Sequence, residues 1–161
     1  MHRVKIGVLS DTHAAEYSEE LARIAELHFN NVELILHAGD MVDLSVLDAL
    51  HPKKVEAVAG NMDSQGVRNK YPVKQVVSVG GFRIGLIHGW GSPRGIEERI
   101  RQEFADVDCI VYGHTHAAAC HESNGILFFN PGSAMEKRYT KSNSVGILEI
   151  GTTVTGKIIV L

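Results

Sequence analysis

Side chains that can bind metal ions recur along this chain, each time just after an apolar run. Five runs rich in Val, Ile and Leu are followed within a few residues by Asp, Asn or His. The candidate ligands in these positions are Asp11, His13, Asp40, Asn61, His88, His114 and His116. Imidazole nitrogens with carboxylate and amide oxygens favour manganese, iron, zinc or nickel over a thiolate-bound structural zinc. We therefore expect a metal site built from these residues.

The size of this ligand set favours two ions over one. Seven ligands are too many for one tetrahedral ion, whereas two ions that share one carboxylate would use them all. Two divalent ions about 3.5–4 Å apart can activate a water molecule and hold a phosphoryl group during its displacement. Any one of these short motifs is common by chance, and it is their conjunction at five predicted strand ends that favours the metal site.

The first part of the chain has the pattern of alternating strands and helices. Apolar, β-branched runs predict strands over residues 4–9, 32–36 and 55–59, and helical spacing predicts helices over 18–29 and 44–50. The first helix would begin at an N-cap serine, Ser18. Such an order is typical of parallel strands, and ligands bind outside the carboxyl ends of such strands.

The second part of the chain has a more β-rich pattern. Hairpins are predicted for 75–79 with 82–87 and for 117–121 with 126–129, and the last strands are 109–112, 145–150 and 154–160. A helix is expected between them, N-capped by Ser92 with Pro93 in its first turn and with Ile96, Ile100 and Phe104 on one face. Helices that flank a mostly β interior predict a layered α/β sandwich in one domain of 1–161.

Composition and charge exclude several classes of function. The chain has 161 residues, of which 44% are hydrophobic and 22% charged, and its formal net charge is -3. So small a charge predicts no nucleic-acid polymer as partner, although a small nucleotide substrate stays open. No run approaches the roughly 20 apolar residues that span a membrane, so we expect a cytoplasmic protein. Cys109 and Cys120 are expected to be buried, reduced thiols.

The order of these motifs resembles the calcineurin-like metallophosphoesterase superfamily, especially its small YfcE-type phosphodiesterases. The resemblance runs from about residue 4 to 133 and includes the sequence Asn130-Pro131-Gly132-Ser133. It implies a four-layer α/β/β/α sandwich with a dinuclear metal site, in which a metal-bound hydroxide attacks phosphorus. Manganese is the expected metal, with zinc, iron, nickel and magnesium as alternatives. One ion would be held by Asp11, His13, Asp40 and His116, and the other by Asp40, Asn61, His88 and His114.

One position departs from the wider superfamily. Many members carry a histidine after the Gly-Asn pair, where it is thought to protonate the leaving group, but here the residue is Met62. A thioether cannot donate a proton. Asp63 is the remaining candidate acid, although a role in fixing the turn through backbone hydrogen bonds is favoured for it. With Asp40, Asn61 and His88, it completes the expected catalytic set.

Two alternatives to an enzyme stay open from the sequence. One is a non-catalytic scaffold or interaction protein on the same fold, like the retromer subunit that resembles these enzymes but lacks several ligand histidines. All four ligand histidines are present here, which favours hydrolysis of a small phosphate ester. The other is a metal-binding regulator with negligible turnover. The sequence leaves the physiological substrate and a homo-oligomeric state undecided.

Overall fold

The computed structural model describes residues 2–161 and contains two five-stranded sheets with helices on their outer faces. Its strands are β1 Val4–Leu9, β2 Leu34–His37, β3 Val55–Ala57, β4 Lys74–Val79, β5 Phe82–Ile87, β6 Cys109–Val111, β7 Ala119–Ser123, β8 Ile126–Asn130, β9 Ser144–Ile150 and β10 Val154–Val160. The helices are α1 Glu19–His28, α2 Gln65–Lys70 and α3 Ile96–Arg101, with a 3₁₀ helix over Leu44–Leu50.

Each sheet has parallel strands in its interior, as the alternating pattern predicted for the first. The first sheet has the order β10-β9-β1-β2-β3, in which β1, β2 and β3 are parallel. The second has the order β4-β5-β6-β8-β7, in which β5, β6 and β8 are parallel. Strands that run in one direction bring their carboxyl ends to one edge, and the candidate ligands follow β1, β2, β3, β5 and β6.

Three separate apolar clusters define four layers. One cluster lies between the two sheets and includes Ile6 and Val8 of β1 with Ile84 and Leu86 of β5. A second joins the outer face of the first sheet to α1 and the 3₁₀ helix, and a third joins the outer face of the second sheet to α3. This arrangement confirms the α/β/β/α sandwich, because each sheet buries both of its faces.

The close packing of α1 on β1 explains a glycine inside that strand. A Cβ atom added to Gly7 would lie 2.7 Å from the Phe29 ring, which is fully buried beneath the helix. The strand therefore has no side chain at the position where the helix layer approaches it most closely.

The structure corrects the expected start of α3. Ser92 is not its N-cap, because the helix begins at Ile96 after Gly95, whose φ is 76°. The guanidinium of Arg99 instead donates to the backbone carbonyls of Trp90, Ser92 and Arg94. These bonds hold the segment before the helix in a non-helical loop, so the local capping signal of Ser92 and Pro93 does not decide the structure.

Two further differences concern short or edge elements. Helix α2 was not predicted from the sequence. Its N-cap is Ser64, and Val67 is its single buried residue. Cys109 is a buried free thiol as expected, but the expectation of a second buried thiol is wrong, because Cys120 is exposed on edge strand β7. Within residues 2–161, no helix combines the length and the apolar character that crossing a membrane requires.

Candidate metal centre

The turns that follow the parallel strands have an uncommon backbone conformation. Positive φ angles of 47° to 72° occur at five candidate ligands, Asp11, His13, Asp40, His114 and His116. In residues 2–161 only three other non-glycine residues have positive φ, namely Val42, Asn124 and Tyr139. L-residues rarely adopt this conformation, and it concentrates at functional sites where the surrounding structure enforces it. The backbone thus singles out the residues that the sequence pattern had selected.

Asp11 lies at the centre of the cluster and is fully buried. Its Oδ2 accepts hydrogen bonds from the Ser10 hydroxyl and from the backbone N–H of His114, at 3.1 Å for the latter. Its Oδ1 faces Nε2 of His116 at 3.2 Å and Nε2 of His13 at 3.5 Å. One oxygen is therefore fixed by the protein, while the other is directed towards imidazoles.

Asp40 has the same division between its two carboxylate oxygens. Its Oδ1 accepts the backbone N–H of Met62 at 2.8 Å. Its Oδ2 lies 3.2 Å from Nε2 of His88 and 3.5 Å from Nε2 of His13. Because His13 and His88 belong to different expected metal sites, Asp40 occupies the position that a bridging ligand requires.

Two overlapping groups of ligand atoms result from this packing. The first contains Asp11, His13 and His116, and the second contains Asp11, Asp40 and His88, with the ligand atoms of each group within 4.8 Å of one another. Asp11 belongs to both groups, since its Oδ1 also lies 3.9 Å from Nε2 of His88. The resemblance had assigned Asp11 to one ion only, so the structure places it closer to the second site than expected.

Unsatisfied polar atoms at this cluster fit a metal site. Asp11 Oδ1, His13 Nε2 and His88 Nε2 are buried without a hydrogen-bond partner. A buried polar atom without a partner costs roughly 1–3 kcal/mol, so three such atoms directed at one another are not expected in a purely structural cluster. Divalent ions bound between them would satisfy all three, and nitrogen with carboxylate oxygen is a donor set suited to such ions.

The histidines are oriented by backbone carbonyls on their other ring nitrogen. Nδ1 of His88 lies 2.7 Å from the carbonyl of Ala38, and Nδ1 of His116 lies 2.8 Å from that of Arg138. Each carbonyl can accept only an N–H, so Nε2 is the nitrogen that can bind a metal once it carries no proton. His114 has the opposite arrangement, because its Nε2 lies 2.8 Å from the carbonyl of Gly91. Its free nitrogen for a metal is therefore Nδ1.

The two remaining candidate ligands lie at the side of the second group. The rings of His88 and His114 are 5.3 Å apart between centroids, in an edge-to-face arrangement. Asn61 is exposed and lines the same cavity wall as His88. The carbonyl of Asn61 accepts a hydrogen bond from Arg68 at 2.9 Å, which fixes the turn that carries it. Both residues are thus near His88, where the resemblance had assigned them to the same ion.

In the metal-free protein, interactions between the carboxylates and the imidazoles determine which of these groups are protonated. Burial alone would raise the pKa of Asp11, but the nearby imidazoles of His116 and His13 hold it well below its ordinary value. Burial likewise opposes protonation of His88, yet the nearby carboxylates of Asp40 and Asp11 raise its pKa to about 8. The protein is therefore expected to hold a proton on His88 at neutral pH.

This proton gives a prediction for metal binding. Because a metal must displace it from His88, and because the pKa of His116 is also raised, manganese affinity should fall at least about tenfold for each pH unit below 8. Titration of metal-free protein with Mn²⁺ at several pH values between 6.5 and 8.5, followed by electron paramagnetic resonance, measures this slope. Substitution of the exposed His121, which pairs with Glu97, by glutamine should leave the slope unchanged. An affinity independent of pH over this range would contradict the prediction.

Asp63 makes the contacts of a residue that holds turns together. Its Oδ2 accepts the backbone N–H groups of Asp40 at 3.0 Å and Gly60 at 2.6 Å, and its Oδ1 accepts that of Val42 at 2.7 Å. The carboxylate thus joins the turn after β2 to the turn after β3. These contacts fit the turn-fixing role that the sequence favoured for Asp63.

The substitution Asp63→Asn should therefore destabilise the fold. An amide offers one acceptor where the turns need two, so in either orientation an N–H group would face another N–H. We expect a loss of about 1–3 kcal/mol in the free energy of unfolding, measured by urea denaturation of metal-free protein. Asp108→Asn is the matched control, because Asp108 accepts a single backbone N–H, that of Arg83, at an exposed site. Equal losses in the two variants would show that Asp63 does not join the turns.

Two supporting residues were not assigned a role from the sequence, although their motif was part of the resemblance. The Ser133 hydroxyl donates to the carbonyl of Asp11 at 2.8 Å. The amide of Asn130 donates to the carbonyl of Gly113 at 3.2 Å and to the Thr115 hydroxyl at 3.0 Å. Both therefore fix turns that carry ligands. The position of Asn130-Pro131-Gly132-Ser133 at the end of strand β8 was the available signal.

Two other polar residues near the centre, His37 and Arg99, bind groups of the protein itself. His37 is fully buried, with Nε2 3.2 Å from the Thr12 hydroxyl and Nδ1 accepting the N–H of Gly39, and burial lowers its pKa to about 4. It is therefore a neutral, packed histidine. The guanidinium of Arg99 donates to backbone carbonyls of the preceding loop.

This fold and this cluster of ligand side chains define a metal-dependent phosphoesterase. The particular family follows from comparison with known proteins. Residues 4–153 match the family described as the calcineurin-like phosphoesterase superfamily domain, and the chain belongs to that family.

Relatives of this chain include an enzyme and a protein-sorting component. A probable metallophosphoesterase of Methanothermobacter thermautotrophicus is 38% identical over 151 residues, which cover 90% of this chain and 85% of the relative. The structure of an archaeal phosphodiesterase superimposes with a TM-score of 0.77 at 26% identity, covering 98% of this chain and all of that one. Vps29 of Entamoeba histolytica, in complex with Zn²⁺, has a TM-score of 0.70 at 25% identity, covering 98% and 99% of the two chains.

Proposed function

We propose that this protein is a phosphodiesterase that uses two divalent metal ions, with manganese as the preferred metal. The observation that carries the proposal is the convergence of Asp11, His13, Asp40, His88 and His116, with three of their ligand atoms buried and unsatisfied. The solved archaeal phosphodiesterase on the same fold supports the preference for diesters. The proposed substrate is a small phosphate ester, and a nucleotide is one candidate. The protein is proposed to act as a single domain in the cytoplasm.

The metal ions would be held by the seven residues selected from the sequence. One ion would bind Asp11, His13, Asp40 and His116, and the other Asp40, Asn61, His88 and His114. When bound, such ions supply an activated water as nucleophile and neutralise charge on the phosphoryl group.

The chain's own contribution is preorganisation of these ligands. Carbonyls hold the rings of His88 and His116, and Asp63 fixes the turns that carry Asp40 and Asn61. Ligands held in this way need little rearrangement when metal and substrate bind.

The alternative is a scaffold function, which the structural similarity to Vps29 supports. All four candidate ligand histidines, His13, His88, His114 and His116, are present in this chain, whereas a scaffold has no need of the complete ligand set. We therefore favour catalysis.

Metal-dependent turnover is the direct test. Protein stripped with chelator and refilled with manganese should retain close to two equivalents after desalting and should cleave bis(4-nitrophenyl) phosphate. The stripped protein should be inactive and should recover on addition of Mn²⁺. Full activity at one equivalent would contradict the dinuclear site, and metal binding without turnover of any ester would favour the scaffold or regulator.

A further inference from the structure

A cavity of about 390 Å³ adjoins the candidate metal centre on the side of His88. This volume is in the range of small-molecule sites in proteins. Asn61 and His88, which are proposed to bind the second ion, both line it, and its other lining residues are mainly apolar and aromatic. They include Ala59, Tyr71, Val73, Ile87 and Trp90, with Arg68 as the charged residue.

The aromatic wall of this cavity is open to solvent. Trp90 has 45% of its surface exposed, and Val73 has 70% exposed, although both line a concave site. Exposed apolar side chains that line a cavity are typical of ligand sites, whereas scattered ones are ordinary. A flat, polarisable indole favours a planar aromatic group as its partner.

Two arginines bind backbone carbonyls of segments that line the cavity. Arg99 Nη2 donates to the carbonyl of Trp90 at 2.7 Å and fixes the loop before α3. Arg68 donates to the carbonyls of Asn61 at 2.9 Å and Asp63 at 3.0 Å and fixes the turn after β3. Hydrogen bonds within the protein therefore hold both segments in place without a ligand. The positive charge of Arg68 also favours an anionic ligand.

We infer that this cavity, defined by Trp90, Tyr71 and Val73, binds a planar aromatic ester group of the substrate while its phosphoryl group occupies the metal centre. This inference rests on the proposed function. It narrows the substrate class to phosphodiesters that carry an aryl group or a nucleobase. Trp90 is then a specificity-determining residue that contacts the substrate but not the reacting atoms.

Non-hydrolysable phosphonates test the inference. Phenylphosphonate and methylphosphonate present the same charged group to the manganese-loaded enzyme and differ in the ring. As competitive inhibitors of bis(4-nitrophenyl) phosphate cleavage, the phenyl compound should have a Ki about tenfold lower, as expected for a ring stacked on an aromatic side chain. Trp90→Phe should keep most of this ratio, and Trp90→Ala should reduce it to about twofold or less. Val160→Ala, an exposed change outside the cavity, should leave it at the wild-type value.

Tryptophan fluorescence gives a second measurement that does not depend on turnover. Trp90 is the only tryptophan in the chain, so its emission reports on this cavity alone. Saturating phenylphosphonate should shift or quench the emission, and methylphosphonate should not. Equal Ki values in the wild type, an unchanged ratio in Trp90→Ala, or unchanged emission would each overturn the inference.

The outcomes separate the two proposals. Absence of turnover for every ester would defeat the proposed function, while turnover with equal Ki values would defeat only the aromatic site. Adenosine 5′-monophosphate in the same competition assay distinguishes the source of the ring. A Ki below that of phenylphosphonate assigns the cavity to a nucleotide, and a higher value assigns it to a simple aryl ester.

Discussion

Replacement of Asp40 by asparagine is expected to lower kcat/KM by about 10³-fold or more, the largest loss among conservative substitutions at this site. Its Oδ2 lies between Nε2 of His88 at 3.2 Å and Nε2 of His13 at 3.5 Å. An amide keeps the shape but removes the negative charge between two proposed cations. Both ions should then bind more weakly, and the refilled variant should retain fewer than two equivalents of manganese.

The design of this experiment separates charge from folding. An amide oxygen can still accept the N–H of Met62, so the turns should keep their backbone contacts and the metal-free variant should unfold cooperatively. Asp106→Asn is the matched control, because Asp106 is an exposed aspartate after α3 and should leave kcat/KM unchanged. Activity of Asp40→Asn within tenfold of the wild type, with two ions bound, would show that Asp40 does not bridge them.

The sequence predicted where the candidate ligands would meet because each of them follows a strand and the strands are parallel. The apolar run at Val4–Leu9 predicted strand β1 with its exact bounds, and Asp11 and His13 follow it. Once the β-rich pattern predicts a sheet, parallel strands place their carboxyl ends together without further information. The convergence of residues as distant as Asp11 and His116 was therefore predictable, and their 3.2 Å contact confirms it.

Contacts between residues that are far apart in the chain could not be predicted from the sequence. Nothing local indicates that Asp63 would accept N–H groups from Asp40 and Val42, across more than twenty residues. The predicted start of α3 was wrong because Arg99 binds the carbonyls of the preceding loop. This tertiary contact overrides the capping preference of Ser92. Cys120 was misjudged because its strand forms a sheet edge, which strand patterning alone does not reveal.

The second large effect concerns the leaving group. Hydrolysis of a poor leaving group needs a proton at the departing oxygen, and Met62 stands where many superfamily members carry a histidine. The structure places Met62 beside the centre, since its backbone N–H donates to Asp40 Oδ1 at 2.8 Å, and its side chain is 54% exposed. Asp63, the other candidate, has both oxygens engaged by backbone N–H groups. No general acid is therefore assigned at this turn.

Turnover should accordingly depend steeply on the pKa of the leaving group. General-acid catalysis contributes about 10²–10⁴ in rate, so without it aryl diesters should react far faster than alkyl diesters. A series of aryl diesters with graded phenol pKa, measured as log kcat/KM under conditions where chemistry limits the rate, gives the slope. A flat dependence would show that another residue protonates the leaving group.

Restoring an acid at this position gives the complementary measurement. In the variant Met62→His, an imidazole would extend from a turn whose backbone already binds Asp40. Cleavage of alkyl diesters should rise by up to about 10²-fold and the slope against leaving-group pKa should become shallower, because an imidazole titrates near neutral pH and can donate its proton. Met62→Gln is the matched control, since glutamine is polar and similar in length but cannot act as an acid, and it should keep the steep slope. If both variants behaved like the wild type, the residue at position 62 would lie too far from the departing oxygen to protonate it, and the steep slope would have to arise from the metal ions alone.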